Sequence, residues 1–304
     1  MLELTKNSIT TRLRLILALA FIVAAYFFLG PLGGAVYAPI EAGFDLRLIQ
    51  DNELVLAPYV LLMLIRFFLN LLVAVCVCVI LGQRLRQSPL AWAGAPRMIL
   101  IGAVTGTTVM AVAILLISAS GAASITYAEQ SAQAALMHGM GWWIAEFIGA
   151  SSEEFFGRVA ILLVAERFVG WRGAAIASGI IFSVMHLDNP GASEIWLLRL
   201  FIQGVLLAYA VYRTGSIWWS AGYHAGWNWA SAPLFGAAGS GYFVKGHTFE
   251  YLPIGSEFVT GGPVGPEGSI FAFLAVLSAF FLLHVTTRNS MRYTRAWPKG
   301  GASP

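Results

Sequence analysis

The sequence predicts an all-α fold: a polytopic transmembrane helical bundle of about eight spans, with its N- and C-termini on the cytoplasmic side. Three observations predict it. Of 304 residues, 58% are hydrophobic and 11% charged, whereas soluble domains carry roughly a quarter charged residues. The apolar residues form continuous runs rather than the alternation of a β-barrel. The basic residues gather in every second connection between those runs, as they do in cytoplasmic loops. Mean hydropathy is +0.75. The length fits one bundle in three parts. Residues 1–136 hold the first three spans, 137–286 a helical core that carries the polar motifs, and 287–304 a basic cytoplasmic tail.

Residues 1–14 are polar and include Lys6, Arg12 and Arg14, and an apolar run follows from Leu15 to about Leu32. The run is long for a signal peptide, and Pro39 directly follows the cleavage candidate Ala38, so an uncleaved first span is expected. The connection 34–53 is net acidic, with Glu41, Asp45, Asp51 and Glu53 against Arg47. The second run, Leu54 to Gly82, exceeds the ~20 residues a bilayer requires, and tilt absorbs the excess. Inside it, Arg66 and Asn70 lie one turn apart and are expected to face inward as a bridge to a neighbouring helix. Cys76 and Cys78 are two residues apart on a helix, so a mutual disulfide is excluded. No zinc-type cysteine spacing occurs, and both read as small apolar fillers.

Arg84, Arg86 and Arg97 mark a basic connection before a third span, Met98 to Ser118. Its Gly102, Thr105, Gly106, Thr107 and Thr108 permit close helix approach. Residues 119–136 read as a polar connection. The fourth run, Met137 to Val169, carries Trp142 and Trp143, Glu146, and the stretch Ser151-Ser152-Glu153-Glu154-Phe155-Phe156-Gly157-Arg158; the two tryptophans suit an interfacial belt. The fifth span is Gly173 to His186, the sixth Ile195 to Tyr212, the seventh Ser216 to Pro233 and the eighth Ser269 to Val285. A Gly-rich connection, 234–268, separates the last two. With a cytoplasmic N-terminus, the inside connections hold nearly every loop base, including the tail's Arg288, Arg292, Arg295 and Lys299. The outside connections hold Arg47 and Lys245. No internal repeat of the inverted-transporter kind is visible.

Ionisable groups inside a membrane face the protein interior and mark functional sites by default. Three pairs with i,i+4 spacing stand in late spans: Glu154 and Arg158, Phe182 and His186, and His224 and Asn228. Each pair shares a helix face. At about 1.5 Å per residue, Glu154, His186 and Asn228 lie roughly 20 Å from the cytoplasmic helix ends and His224 roughly 14 Å. Singly, each polar group reads more readily as a helix–helix hydrogen bond than as a catalyst; agreement in depth across three helices does not follow from that. Glu154 can pair with Arg158, which leaves Glu153 the freer carboxylate. A carboxylate withdrawn from water holds a proton more readily, which suits a general base. A histidine beside it can orient a water, and a second histidine with an asparagine amide can donate to an oxyanion. Together these groups make a hydrolase of amide bonds without a Ser or Cys nucleophile. Two histidines and a carboxylate are also a zinc ligand set, which would comprise Glu153, His186 and His224. The absence of HExxH and the poor ligand chemistry of Asn228 favour the metal-free form. A proton or ion relay in a transporter, and a non-catalytic scaffold or immunity protein, are the other classes open to such a cluster.

These motifs resemble the CAAX-prenyl-protease-like family of intramembrane endopeptidases, also called CPBP or Abi, whose pattern is EExxxR, FxxxH and HxxxN on successive helices. Here they are Glu153-Glu154-xxx-Arg158, Phe182-xxx-His186 and His224-xxx-Asn228. The runs Tyr212–Ile217 and Thr260–Ser269 are similar too, and the resemblance covers about residues 140–285. The family usually has a large residue before the arginine and a glycine after it, where this chain has Gly157 and Val159. The resemblance implies Glu153 as base, His186 holding the water, His224 and Asn228 as the oxyanion site, and Glu154, Arg158 and Phe182 in support. It further implies a peptide or a prenylated, lipid-associated protein as substrate, surrounding membrane lipid but no nucleic acid as partner, and a prokaryotic inner (cell) membrane as location.

Overall fold

A computed structural model of the chain describes the backbone of residues 2–287 and the side chains from Ile9 onward. The basic tail with Arg288, Arg292, Arg295 and Lys299 lies outside the described residues. The fold is all-α, with 74% of it helical. In chain order the main helices are α1 (Leu2–Phe44), α2 (Leu56–Ile80), α3 (Ala95–Ala119), α4 (Ala132–Glu154), α5 (Leu162–Val184), α6 (Glu194–Thr214), α7 (Trp218–Trp229), the short α8 (Glu257–Thr260) and α9 (Ile270–Thr286). Ser131, Ser193 and Ser269 cap α4, α6 and α9, each side chain accepting from a backbone N–H three residues on. Such caps contribute about 1 kcal/mol each.

Four helical stretches are long and apolar enough to cross a membrane by length and composition: Ile9–Phe44, Leu56–Ile80, Ala95–Ala119 and Glu194–Thr214. The remaining expected spans fall short of that description for visible reasons. The α4–α5 segment carries Glu146, Glu153, Glu154, Arg158, Glu166 and Arg167, α7 has 12 residues, and α9 is a shorter apolar helix of 17. Large side chains such as Leu17, Phe27, Phe28, Phe68, Val79 and Leu100 stand exposed on α1, α2 and α3, as they do on a lipid-facing surface.

The first helix corrects the expected boundaries. It runs on through Pro31 and Pro39 to Phe44, where the sequence led us to expect a loop from residue 34. The segment after Pro31 remains apolar, and each proline removes one intrahelical bond without changing the course of the chain. The break between the fourth and fifth spans is where expected. Gly170 has φ 68° and ψ 173° inside an otherwise helical run, a conformation open to glycine and strained for other residues.

The connections read as irregular contain short strands: β1 (Ile49–Gln50), β2 (Glu53–Leu54), β3 (Ala123–Tyr127), β4 (Phe243–Val244) and β5 (Phe249–Pro253). β1, β2 and β4 form one small sheet, with β2 and β4 parallel, and β3 pairs antiparallel with β5 from Ala123↔Pro253 to Tyr127↔Phe249. Lys245 Nζ meets Asp51 Oδ2 at 2.6 Å, and Asn189 Nδ2 donates to Ser240 O at 3.0 Å. In a second set, Ile217 N and Trp218 Nε1 donate to Pro89 O and Ala91 O, each at 3.0 Å, and Arg213 binds His284 O and Thr287 Oγ1 at 3.2 Å. Each of these ties joins two connections that the alternation of spans assigns to one side.

α7 lies at the centre and is buried along almost its whole length. It meets α3 backbone to backbone. A Cβ at Gly102 or Gly106 would strike the carbonyl oxygens of Trp219 or Tyr223, and one at Gly222 or Gly226 those of Ile99 or Ala103. Both helices therefore present two glycines four apart, the spacing that allows membrane helices to touch. The sequence pointed to the small residues of α3 but not to their counterparts on α7.

Two expected orientations, the inward face of Arg66 and Asn70 and the interfacial place of Trp142, are redrawn. Asn70 does bridge helices, donating from Nδ2 to Ser152 Oγ at 2.9 Å, but Arg66 is exposed. Trp142 is no interfacial residue: it is fully buried, and its Nε1 donates to Lys245 O at 2.8 Å. Cys76 and Cys78 are both free thiols.

Candidate active site

The glutamate pair stands at the end of α4, where the helix widens into a π-helical segment, Phe155–Ile161. π turns shift the ladder by one residue and recur at functional sites. Ser178 Oγ donates to Gly157 O at 3.2 Å from α5. A Cβ at Gly157 would meet nothing within 4 Å, so a methyl group fits at this position.

The two neighbouring carboxylates are in different surroundings. The Glu154 side chain is fully buried. Its Oε2 lies 3.2 Å from Arg158 Nε, and its Oε1 lies 3.0 Å from His224 Nδ1. A carboxylate only accepts, so Nδ1 of His224 carries the proton and the ring is held by α4. The Arg158 guanidinium also covers the Phe182 ring at 4.4 Å. Burying two opposite charges is tolerable when both find partners, and costly when one is removed.

The Glu153 side chain is 39% exposed, yet its Oε2 is buried and has no hydrogen-bond partner among the described residues. Nε2 of His186 and Nε2 of His224 each lie 3.9 Å from that one oxygen. The distance is too long for a direct hydrogen bond and of the length that one bridging water spans. His186 is placed by a turn just beyond α5, rather than inside the fifth helix as the sequence suggested. Its Nδ1 lies 2.7 Å from Phe182 O. A carbonyl can only accept, which puts the proton on Nδ1 and leaves Nε2 a lone pair on the Glu153 side. Phe182 packs against both imidazoles, with ring centroids 4.8 Å from His186 and 5.7 Å from His224.

Asn228 lies one turn beyond His224, and its Nδ2 donates to Glu146 Oε2 at 3.2 Å. Tyr59 of α2 hydrogen-bonds to the same carboxylate. Neither Glu146 nor Tyr59 received a role from the sequence. Glu146 stands two helical turns before Glu153, and that spacing was the available signal. A second buried network flanks the site. Arg199 Nη2 binds Glu267 Oε2 at 2.9 Å and its Nε binds Glu267 O at 3.0 Å, while Nη1 binds Gln203 Oε1. Trp196 Nε1 and Ser240 Oγ also donate to Glu267 Oε2, and the Trp196 ring meets His186 edge-on at 5.9 Å.

A zinc ion with ~2.0–2.1 Å bonds in tetrahedral geometry draws its ligand atoms to about 3.4 Å of one another. Both nitrogens are farther than that from Glu153. Among the described residues no group of three or more His, Cys, Asp or Glu side chains is arranged to hold a metal ion, so the metalloprotease expectation gains no support from this geometry.

Residues 135–230 match the model of the family described as Type II CAAX prenyl endopeptidase Rce1-like. The match spans α4 to α7 and includes every motif residue from Glu153 to Asn228, and it agrees with the resemblance carried by those motifs. The matched family's description is that of a prenyl endopeptidase, and the apolar helices are those of an integral membrane protein. Comparisons with curated proteins and with solved structures found no match.

Proposed function

We propose that the protein is an intramembrane endopeptidase that hydrolyses a peptide bond with a water activated by Glu153. The observation that carries the proposal is the approach of two imidazole Nε2 atoms to one unpartnered Glu153 oxygen at 3.9 Å each. Water held between Glu153 and His186 Nε2 gives its proton to the carboxylate as its oxygen bonds to the scissile carbonyl carbon. Charge gathers on the carbonyl oxygen, where the His224 imidazolium, protonated on Nε2 as well as on the Nδ1 that faces Glu154, and the Asn228 amide donate to it. The C–N bond then breaks, and Glu153 passes its proton to the departing amine. Glu154 and Arg158 do not touch the substrate. They hold His224 with its Nε2 toward the reacting centre.

The substrate class is a peptide or a prenylated, lipid-associated protein, in keeping with the kind of substrate the matched family's name describes. The proposed location is a prokaryotic inner membrane, as the motif resemblance implies, and the distribution of loop bases supports termini on the cytoplasmic side. The test is peptide cleavage by the purified protein in lipid. Glu153→Ala and His186→Ala each lower turnover by at least ~100-fold while thermal unfolding stays close to that of the parent. Normal cleavage by both variants overturns the proposal, and full biological activity in Glu153→Gln makes the cluster non-catalytic. A zinc-dependent form of the same protease would use Glu153, His186 and His224, but both imidazole donors lie 3.9 Å from the Glu153 oxygen, farther than zinc bonds draw them. Metal analysis of the pure protein, with cleavage measured before and after chelation, separates the two.

A further inference from the structure

Glu146 is a buried carboxylate, 6% exposed, with no part in the chemistry described above. A charge in the interior of a membrane bundle is costly to keep, so its partners indicate what it does. Three elements converge on it. From α7, Asn228 Nδ2 donates to its Oε2 at 3.2 Å. From α2, the Tyr59 hydroxyl hydrogen-bonds to it. On α4, Glu153 follows seven residues later, about 20° around the helix and about 10.5 Å along it, so the two carboxylates share a face.

A side-chain amide is two-sided. It can present its nitrogen, a donor, or its oxygen, an acceptor. For an oxyanion site the choice decides the outcome, because a misdirected oxygen repels the charge that the nitrogen would stabilise. Glu146 Oε2 accepts from the Asn228 nitrogen, and in its ionised form the carboxylate has no proton to offer the amide oxygen. Glu146 therefore draws the nitrogen of Asn228 to the face of α4 that also bears Glu153. One N–H is used in that bond, and the second remains for a ligand.

We infer that Glu146 is a positioning residue that fixes the direction of the Asn228 amide, so that Asn228 donates to the developing oxyanion. The inference rests on the endopeptidase proposal above and assigns Glu146 a role beyond tying α4 to α7. A mere tie would be satisfied by either amide orientation; a positioning group is satisfied by one.

Glu146→Gln separates these roles, because a glutamine keeps the shape and can bond to either end of Asn228. The tie then survives and the direction is lost. The expected result, in purified protein with a cleavable peptide, is kcat lower by ~10- to 100-fold with KM and thermal unfolding little changed. Asn228→Ala lowers kcat by ~100- to 1,000-fold. Adding Glu146→Gln to Asn228→Ala costs nothing more, since the group it directs is gone. Parent-like kcat in Glu146→Gln overturns the inference, as do losses that multiply in the double variant. Either outcome with Glu153 dependence intact leaves the endopeptidase proposal standing. Cleavage that survives Glu153→Ala brings down the proposal and this inference together.

Discussion

Glu154 accepts from His224 Nδ1 at 3.0 Å while its other oxygen lies 3.2 Å from Arg158 Nε. One carboxylate thus joins a cation on its own helix to an imidazole 70 residues away. The pair is almost wholly buried, with side-chain exposures of 0% for Glu154 and 1% for Arg158. Removing one member strands the other in the bundle. Arg158→Ala is expected to lower unfolding stability by ~3–5 kcal/mol, well beyond the effect of Glu153→Ala. Thermal unfolding in detergent, with the two variants compared side by side, checks the order.

The imidazole protons are assigned by their acceptors. His186 bonds through Nδ1 to Phe182 O, and His224 through Nδ1 to Glu154. Nitrogen-15 spectra of histidine-labelled protein near neutral pH should find Nδ1 protonated in both rings. Glu154→Gln should disturb the His224 signals and leave those of His186 nearly unmoved. A His186 ring protonated on Nε2 alone would contradict the arrangement, since Nε2 must then donate rather than hold a water's proton.

Glycines in this chain divide by what surrounds them. At Gly157 an added methyl meets nothing within 4 Å, so Gly157→Ala should be tolerated and should stabilise by ~0.5–1 kcal/mol. At Gly222 the same methyl falls on the carbonyl of Ile99. Gly222→Ala should therefore push α7 from α3 and destabilise by ~1–3 kcal/mol. Because α7 carries His224, cleavage should fall with it. Unfolding and turnover measured on both variants give opposite signs.

Lys245 holds the Asp51 carboxyl below its ordinary value, first by the hydrogen bond from its ammonium and then by its charge. A carboxyl so depressed stabilises the fold above its unfolded value of about 4 and ceases to do so as pH falls through the lower folded value. Asp51 is largely exposed, so the effect is local. Protection of the Lys245 amide, which donates to Leu54 O, should fall relative to its intrinsic exchange rate on acidification through that range. Asp51→Asn should remove the pH dependence.

Much of the site was legible because charge inside an apolar run has few explanations. Glu153, Glu154 and Arg158 stood out for that reason, and i,i+4 spacing linked Phe182 to His186 and His224 to Asn228. Gly170 punctuated the helical run where composition indicated. Other features depend on partners far along the chain. Glu146 declares itself through Asn228, and Arg199 through Glu267, 68 residues away in a glycine-rich connection. Periodicity carries no record of such pairings. The strands β3 and β5 are short and lie more than 100 residues apart, so neither shows as a strand before the other is beside it. The course of α1 past Pro31 and Pro39 was misjudged because the first apolar run was ended near Leu32, although the helix continues to Phe44.

The glycine contact between α3 and α7 bears on how a substrate could enter. Side chains at an ordinary helix interface change rotamer and let their helices roll. A seam of backbone against backbone has no such play, so α7 neither turns nor slides on α3 without breaking contact. The bundle is in this sense hinged on one side alone. Movement that admits a peptide to Glu153 falls to helices joined by side chains, foremost α1, whose apolar window is 17% buried against 44% for that of α3.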